Sequence, residues 1–238
     1  MKKFNLENKK IGGKNIMKLW IIAGHGAGDS GAVGNGYKEA DVVRQLANRM
    51  KALGGSNVEV LDTSRNWYAD NGISKLSIPR GEQLIELHLD SATASARGGH
   101  VVIQQGLAAD KYDTALANYI KSVFAERAEI IKARGDLANP QRALDRNISY
   151  RLLEVCFITN TGDISYLMSN MDKVAAGILN AFNIQSGNST STPNKTNEQI
   201  ADEVINGKWG NGEDRKNRLR AAGYDPAVIQ ALVNKKLS

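Results

Sequence analysis

The chain has 238 residues, of which 42% are hydrophobic, 24% charged and 6% aromatic, and its 31 Lys and Arg against 25 Asp and Glu give a formal charge of +6. This is a globular composition with no run near the roughly 20 apolar residues of a membrane span, so a transmembrane protein is excluded. The single cysteine, Cys156, excludes an intrachain disulfide and a cysteine-built metal cage.

Residues 1–17 open the chain as a basic leader, MKKFNLENKKIGGKNI and then Met17, an alternative start. It lacks the apolar core and small-residue cleavage site of a signal peptide and reads as disordered. Met1 to Ile16 holds five Lys and one Glu, and Asn194 to Ser238 holds eight basic and six acidic residues. The stretch between them is neutral. Nucleic-acid enzymes carry a basic face on the folded domain, so this distribution argues against one.

From Lys18 short β-rich runs alternate with amphipathic stretches. KLWIIA (18–23), NVEVL (57–61), QLIELH (83–88), HVVIQ (100–104) and RLLEVCF (151–157) have the length and branched content of buried strands. A helix is predicted from Glu39 to Leu53, with Ala40, Val43, Leu46, Ala47, Met50 and Leu53 on one face and Gly54-Gly55 as its stop. Others are predicted over Asp113 to Arg134 and Ile164 to Phe182. The alternation predicts an α/β fold over residues 18–184, a mostly parallel sheet flanked by helices. QSGNSTSTPNK (185–195) is a flexible linker by composition. Residues 196–238 then read as a three-helix module: Thr196 with Gln199 fits a capping box, Gly212-Glu213 opens the second helix, and Asp225-Pro226 opens the third. Its expected core is Ile200, Val204, Leu219, Val228, Ile229 and Leu232.

The segment IIAGHGAGDSGAVGNGYKEADVV (21–43) is the most informative. A strand ending in Ala-Gly-His brings the His25 imidazole to the carboxyl end of the sheet, where open α/β sheets place their sites. Glu39 starts a helix whose first turn faces that edge. His88 ends another strand. Two imidazoles and one carboxylate from separate elements make a three-ligand zinc site with a fourth position open to water, the pattern of catalytic zinc. Alone, each residue has an ordinary explanation as a loop, a helix cap or a core histidine; the combination carries the reading. His100, in RGGHVVIQ, shows no partner and reads as a core histidine.

The blocks AGHGAGDSGAVGNGYKEA (23–40), ELHLDSA (86–92) and LLEVCFITN (152–160) resemble the zinc-dependent N-acetylmuramoyl-L-alanine amidases of autolysins and endolysins, the type 3 amidases. The resemblance implies zinc on His25, Glu39 and His88, Glu154 as the catalytic carboxylate, and a twisted sheet of about six strands. Asp90 stands where the family usually has Asn, and Cys156 where Gly is common; Asp90 would alter the charge near the metal. Zinc makes water acidic enough to attack an amide near neutral pH, and Glu154 would carry its proton to the leaving amine. A glutamate in the apolar run LLEVCF is costly to bury without a role. Cys156 shares a strand face with Glu154 by period two and reads as a buried free thiol.

EVINGKWGNGEDRKNRLRAAGYDPAVIQALVN (203–234) resembles the cell-wall-binding repeat of phage lysozymes and lysins. The candidates it implies for the wall are Lys208, Trp209, Asn211, Arg215, Arg218 and Tyr224. One copy is present, so tight binding would need multivalency through a homo-oligomer. Together the two resemblances imply a phage-type endolysin acting on peptidoglycan. With no signal peptide, it would accumulate in the host cytoplasm and reach the cell wall through a holin-type pore. The alternatives are a secreted bacterial autolysin, a zinc peptidase cutting the stem peptide or cross-bridge, a wall-binding protein with a dead site, and a nucleic-acid-binding protein with a helix-turn-helix tail.

Overall fold

The computed structural model describes residues 17–124, 127–185, 195–221, 224 and 226–237. The basic leader up to Ile16 and most of the linker lie outside the described residues. The strands are β1 (Leu19–Ala23), β2 (Val33–Gly34), β3 (Tyr37–Lys38), β4 (Val58–Val60), β5 (Gln83–Asp90), β6 (His100–Gln104), β7 (Ile131–Arg134) and β8 (Ser149–Phe157). The helices are α1 (Glu39–Gly54), α2 (Lys111–Val123), α3 (Ala138–Asp145), α4 (Thr161–Ser169), α5 (Met171–Ala181), α6 (Asn197–Ile205), α7 (Gly212–Ala221) and α8 (Pro226–Leu237).

Six strands form one sheet in the order β4-β1-β5-β8-β6-β7, and β2 and β3 form a separate hairpin. All neighbours in the large sheet are parallel except β6 and β8. Period-two alternation divides its residues between two unequal layers. Leu19, Ile21, Ile85, Leu87, Val101, Leu153 and Val155 join the larger core with Val43, Leu46 and Met50 of α1, Leu116 and Ile120 of α2, and Val174 and Ile178 of α5. On the opposite face Ile22, Leu84, Val102, Tyr150 and Leu152 pack with Trp67, Ile73 and Ala143 of α3 in a smaller cluster. That cluster covers only the lower part of the face. The upper part, at the carboxyl ends of β5 and β8, is left for polar groups.

Three expectations need correction. The helix expected to run to Arg134 ends at Val123, and Ile131–Arg134 instead pairs in parallel with β6 as the sixth strand. The run holds good helix formers, but Ile130 and Ile131 are β-branched and the open edge of β6 offers a ladder of unpaired backbone groups. The helix expected over Ile164 to Phe182 is two helices, with Asn170 (φ −127°, ψ 27°) closing α4 and opening α5. The apolar spacing runs through the break because Leu167, Met171, Val174 and Ile178 enter the same core. In the three-helix module, Ile200, Ala201, Val204, Leu219, Ile229 and Val233 form the core, and Val228 is 43% exposed. Ile229 and Val233 are four apart on one face of α8, and Val228 lies off that face. The Thr196–Gln199 capping box is present. Sequence periodicity offered neither α3 nor the β2–β3 hairpin.

Candidate metal centre and catalytic site

His25 follows β1 in a loop whose backbone is mostly left-handed, with φ of 61° at His25 itself and 50° at Ala27. A non-glycine residue seldom holds that conformation, and here two constraints impose it. Arg44 of α1 reaches over the loop and donates from Nη1 to Gly24 O (3.0 Å) and from Nη2 to His25 O (2.9 Å) and Thr63 O (2.8 Å). Asp29 accepts from Gly31 N (2.9 Å) and Asn66 Nδ2 (3.0 Å) and meets His25 Nδ1 at 2.8 Å. Neither Arg44 nor Asp29 was singled out from sequence; Asp29 sits in the motif already read, whereas the loop carbonyls that Arg44 binds at Gly24 and His25 lie 20 and 19 residues away.

Glu39 is the first residue of α1, and its carboxylate is almost wholly buried. Oε1 lies 3.0 Å from His25 Nε2 and 2.9 Å from His88 Nδ1, and accepts from Leu89 N at 3.0 Å. Oε2 accepts from Ala32 N at 2.9 Å. Burial would raise this carboxyl, but the bonds from His25 and His88 outweigh it and hold Glu39 well below the usual carboxylate range. The two imidazoles stand edge to face with centroids 4.9 Å apart. Ligand atoms of His25, Glu39 and His88 lie within 4.8 Å of one another, a group able to hold a metal ion. Small residues make room for it: a Cβ at Gly31 would meet His25 Cδ2 at 2.6 Å and Glu39 Oε2 at 2.7 Å, and one at Gly24 would meet His88 Cε1 at 2.5 Å.

Glu154 is brought to the same place by register. It pairs with His88 across the parallel β5–β8 ladder and with His100 across the antiparallel β6–β8 ladder, so all three share a sheet face. Glu154 Oε2 is buried and has no hydrogen-bond partner among the described residues. Burial raises its carboxyl to about 7, with His88 opposing that rise and Asp90 and Glu39 adding to it.

His100 is buried as expected, but it does have a partner: Arg127 Nη1 lies 3.0 Å from its Nδ1. Burial, with Lys132 and Arg127 nearby, lowers His100 to about 4, so the ring is neutral. The same Arg127 Nη1 donates to Asp90 Oδ2 at 2.5 Å, and that ion pair offsets the extra charge expected from Asp90. Cys156 is fully buried with its thiol pushed up by desolvation. It packs with Val155 in the larger core and so does not share the face of Glu154 as expected, because the β5–β8 register shifts between His88 and Asp90 and breaks the period-two alternation.

The residues expected to face the wall differ in setting. Trp209 and Tyr224 stand edge to face at 6.0 Å against the module's core, and Trp209 Nε1 donates to Glu203 Oε2 at 3.1 Å. Arg215 Nη2 donates to Gln230 Oε1 at 2.7 Å, and Arg218 pairs with Asp214 at 2.9 Å. Lys208 and Asn211 are exposed.

Known proteins match in the same two parts. The family described as N-acetylmuramoyl-L-alanine amidase matches residues 19–183, and the CW_7 repeat matches residues 198–237. The probable autolysin PH of Staphylococcus aureus (strain NCTC 8325 / PS 47) is 32% identical over 209 residues, 77% of this chain and 43% of that protein. The chain thus spans less than half of that relative's length. The endolysin of Bacillus phage SPP1 is 26% identical over 74% of this chain and 70% of its own. The crystal structure of N-acetylmuramoyl-L-alanine amidase from Clostridium difficile 630 superposes with a TM-score of 0.56 at 19% identity, covering 70% of this chain and 95% of that one. The sheet, the site at its carboxyl edge and these matches agree, and the chain belongs to the N-acetylmuramoyl-L-alanine amidase family.

Proposed function

We propose that this protein hydrolyses the amide between the lactyl group of N-acetylmuramic acid and the L-alanine of the peptidoglycan stem peptide, with zinc on His25 Nε2, Glu39 and His88 Nδ1. One observation carries the metal reading. The outer nitrogen of each imidazole faces a carboxylate, Asp29 at 2.8 Å from His25 Nδ1 and Glu86 at 3.2 Å from His88 Nε2. Each outer nitrogen can thus keep its proton when a cation is bound, leaving both inner nitrogens to turn a lone pair on that cation beside the Glu39 carboxylate; without the cation the inner nitrogens donate to Glu39 instead. Two imidazole nitrogens and one carboxylate that converge this closely, each imidazole backed by a second carboxylate, suit zinc.

Bound there, zinc supplies Lewis acidity, polarising the scissile carbonyl and making water acidic enough to attack near neutral pH. Glu154 does the proton work. Its unpartnered Oε2, on the strand beside His88, accepts a proton from the attacking water and returns it to the departing alanine nitrogen. Burial raises this carboxyl while nearby positive charge opposes the rise, a balance that suits a group that must both take up and release a proton. Asp90, tied to Arg127, and neutral His100 shape the wall beside Glu154.

The CW_7 match supports reading residues 196–238 as a wall anchor joined by the 185–195 linker, with Lys208, Trp209, Asn211, Arg215, Arg218 and Tyr224 as contact candidates. Trp209 and Tyr224 would present ring faces to sugars while steadying a thin core. Among the described residues no helix is long and apolar enough to cross a membrane. The phage endolysin relative supports reading the chain as an endolysin, and the staphylococcal relative supports reading it as an autolysin. Digestion of purified peptidoglycan followed by mass analysis tests the activity. Intact stem peptides with free N-terminal L-alanine are expected; ends created within the stem or cross-bridge would replace this reading with a zinc peptidase.

A further inference from the structure

We infer that Glu86 is a positioning residue for the metal site: its buried carboxylate holds His88 by Nε2 and so leaves Nδ1 to bind the cation. This rests on the zinc reading and concerns a residue outside its ligand and base set. Glu86 and His88 are two apart on β5, on the same face, with Oε1 3.2 Å from Nε2. The other partners of Glu86 are all donors. The Tyr150 hydroxyl donates to Oε2 at 2.5 Å, and Asn139 Nδ2 lies 3.1 Å from Oε1 and 3.0 Å from Oε2. Asn139 is oriented in turn by Arg142, whose Nη1 donates to Asn139 Oδ1 and to Tyr68 O, each at 2.8 Å. A carboxylate surrounded by donors accepts from each, so Glu86 keeps the His88 proton on Nε2 when a cation takes Nδ1. Without the cation, Nδ1 donates to Glu39 Oε1, 2.9 Å away.

Packing alone does not account for a carboxylate here. Glu86 is 3% exposed, and its register partners on both sides, Ile22 of β1 and Leu152 of β8, are apolar members of the smaller core. An apolar residue would satisfy the same layer without the desolvation cost of a charge. What the carboxylate adds is the bond to His88, and what Tyr150, Asn139 and Arg142 add is a fixed direction for that bond. His25 is supported differently. Its carboxylate, Asp29, is 46% exposed, so water can substitute there. No water reaches the Glu86 side of His88 as readily.

The test is zinc affinity of the full chain, measured from the metal-free protein in competition with a chelator, for the parent, Glu86→Gln, Glu86→Ala and His88→Ala. Metal-free melting is followed alongside, and the visible spectrum of the cobalt-substituted protein reports ligand geometry. Loss of an outer-sphere partner weakens metal binding by about 10- to 100-fold. Glu86→Ala is expected at the upper end. Glu86→Gln, nearly the same shape, is expected at the lower end with a melt close to the parent's and a shifted cobalt band. If both Glu86 variants bind zinc as tightly as the parent and only the melt falls, Glu86 is a packing residue and the inference is overturned. If Glu86→Ala does not fold, Glu86→Gln decides by the same two readouts. A parent that takes up no zinc, or a His88→Ala variant that binds as the parent does, overturns the zinc reading beneath it, a result distinct from failure at Glu86 alone.

Discussion

Glu86 and Glu154 lie on neighbouring strands, on the same face of one sheet; Glu86 is buried, and so is the Oε2 atom of Glu154. Their surroundings push them in opposite directions. Burial favours the protonated form of each, but at Glu86 the bonds from His88, Tyr150 and Asn139 reverse the effect and hold the carboxyl below its ordinary value. At Glu154 no bond compensates Oε2, and the carboxyl rises to about 7. Donors, more than depth, decide whether a buried carboxylate becomes a fixed anion or a group that exchanges protons. The fully bonded one lies beneath the proposed metal site and the under-bonded one beside it.

The comparison can be broken most sharply by removing the metal. Stripping zinc with a strong chelator should abolish hydrolysis and added zinc should restore it, whereas full activity after confirmed metal removal would leave neither carboxylate with its assigned work. Next in size is Glu154→Gln, which keeps shape and removes the base. Turnover should fall by about 10²- to 10⁴-fold while zinc content stays near one per chain. Metal loss on this change would make Glu154 a ligand and erase the contrast with Glu86.

A third measurement asks whether the contrast belongs to the sheet domain by itself. A chain ending at Gln185 retains His25, Glu39, Glu86, His88 and Glu154, so it should hydrolyse soluble muropeptides at the full-length rate. Its clearing of whole cells should drop. Equal clearing of whole cells would remove the wall-anchoring role from residues 196–238.

The smallest effect is in stability. A carboxyl raised in the folded state binds its proton more tightly there than in the unfolded chain. Its contribution is therefore fully present below the unfolded value of 4.5 and is lost as pH rises toward about 7. His25, Glu39, His88, Asp90, His100 and Arg134 surround the group and are common to both proteins. Metal-free Glu154→Gln should consequently melt higher than the metal-free parent above pH 7, by about 2–4 °C for each kcal/mol, and the gap should close as pH falls toward 4.5. A gap independent of pH would show that Glu154 is not held protonated by burial.

Much of this was legible in the sequence, and the failures share a cause. Strand ends carrying His25 and His88, and a helix start carrying Glu39, are local signals, and the structure brings these three together. Glu154 stood out as a charge in an apolar run. Glu86 stands in the same kind of run, QLIELH, and the cost of burying it was equally visible. Its partners were not, since Asn139 lies 53 residues away on a helix that periodicity did not reveal and Tyr150 lies 64 away. Arg127 was hidden from His100 and Asp90 in the same way. The sixth strand was misread because Ile131–Arg134 becomes a strand only when β6 presents an edge to it.

The alternation of β5 has a further consequence for how the chain reaches this state. Ile85, Leu87 and Leu89 enter the larger core while Leu84, Glu86 and His88 face the other way. A slip of one residue against β1 or β8 would drive a carboxylate and an imidazole into the helical core and turn three aliphatic side chains toward the polar face. β5 must find both partners over long stretches of sequence, with Leu19 pairing to Gln83 and Gln83 to Ser149, so mispairing is a real hazard of assembly. Glu86 and His88, proposed to support the metal site, therefore also act as a check on strand pairing, penalising every slip by an odd number of residues before any substrate is met.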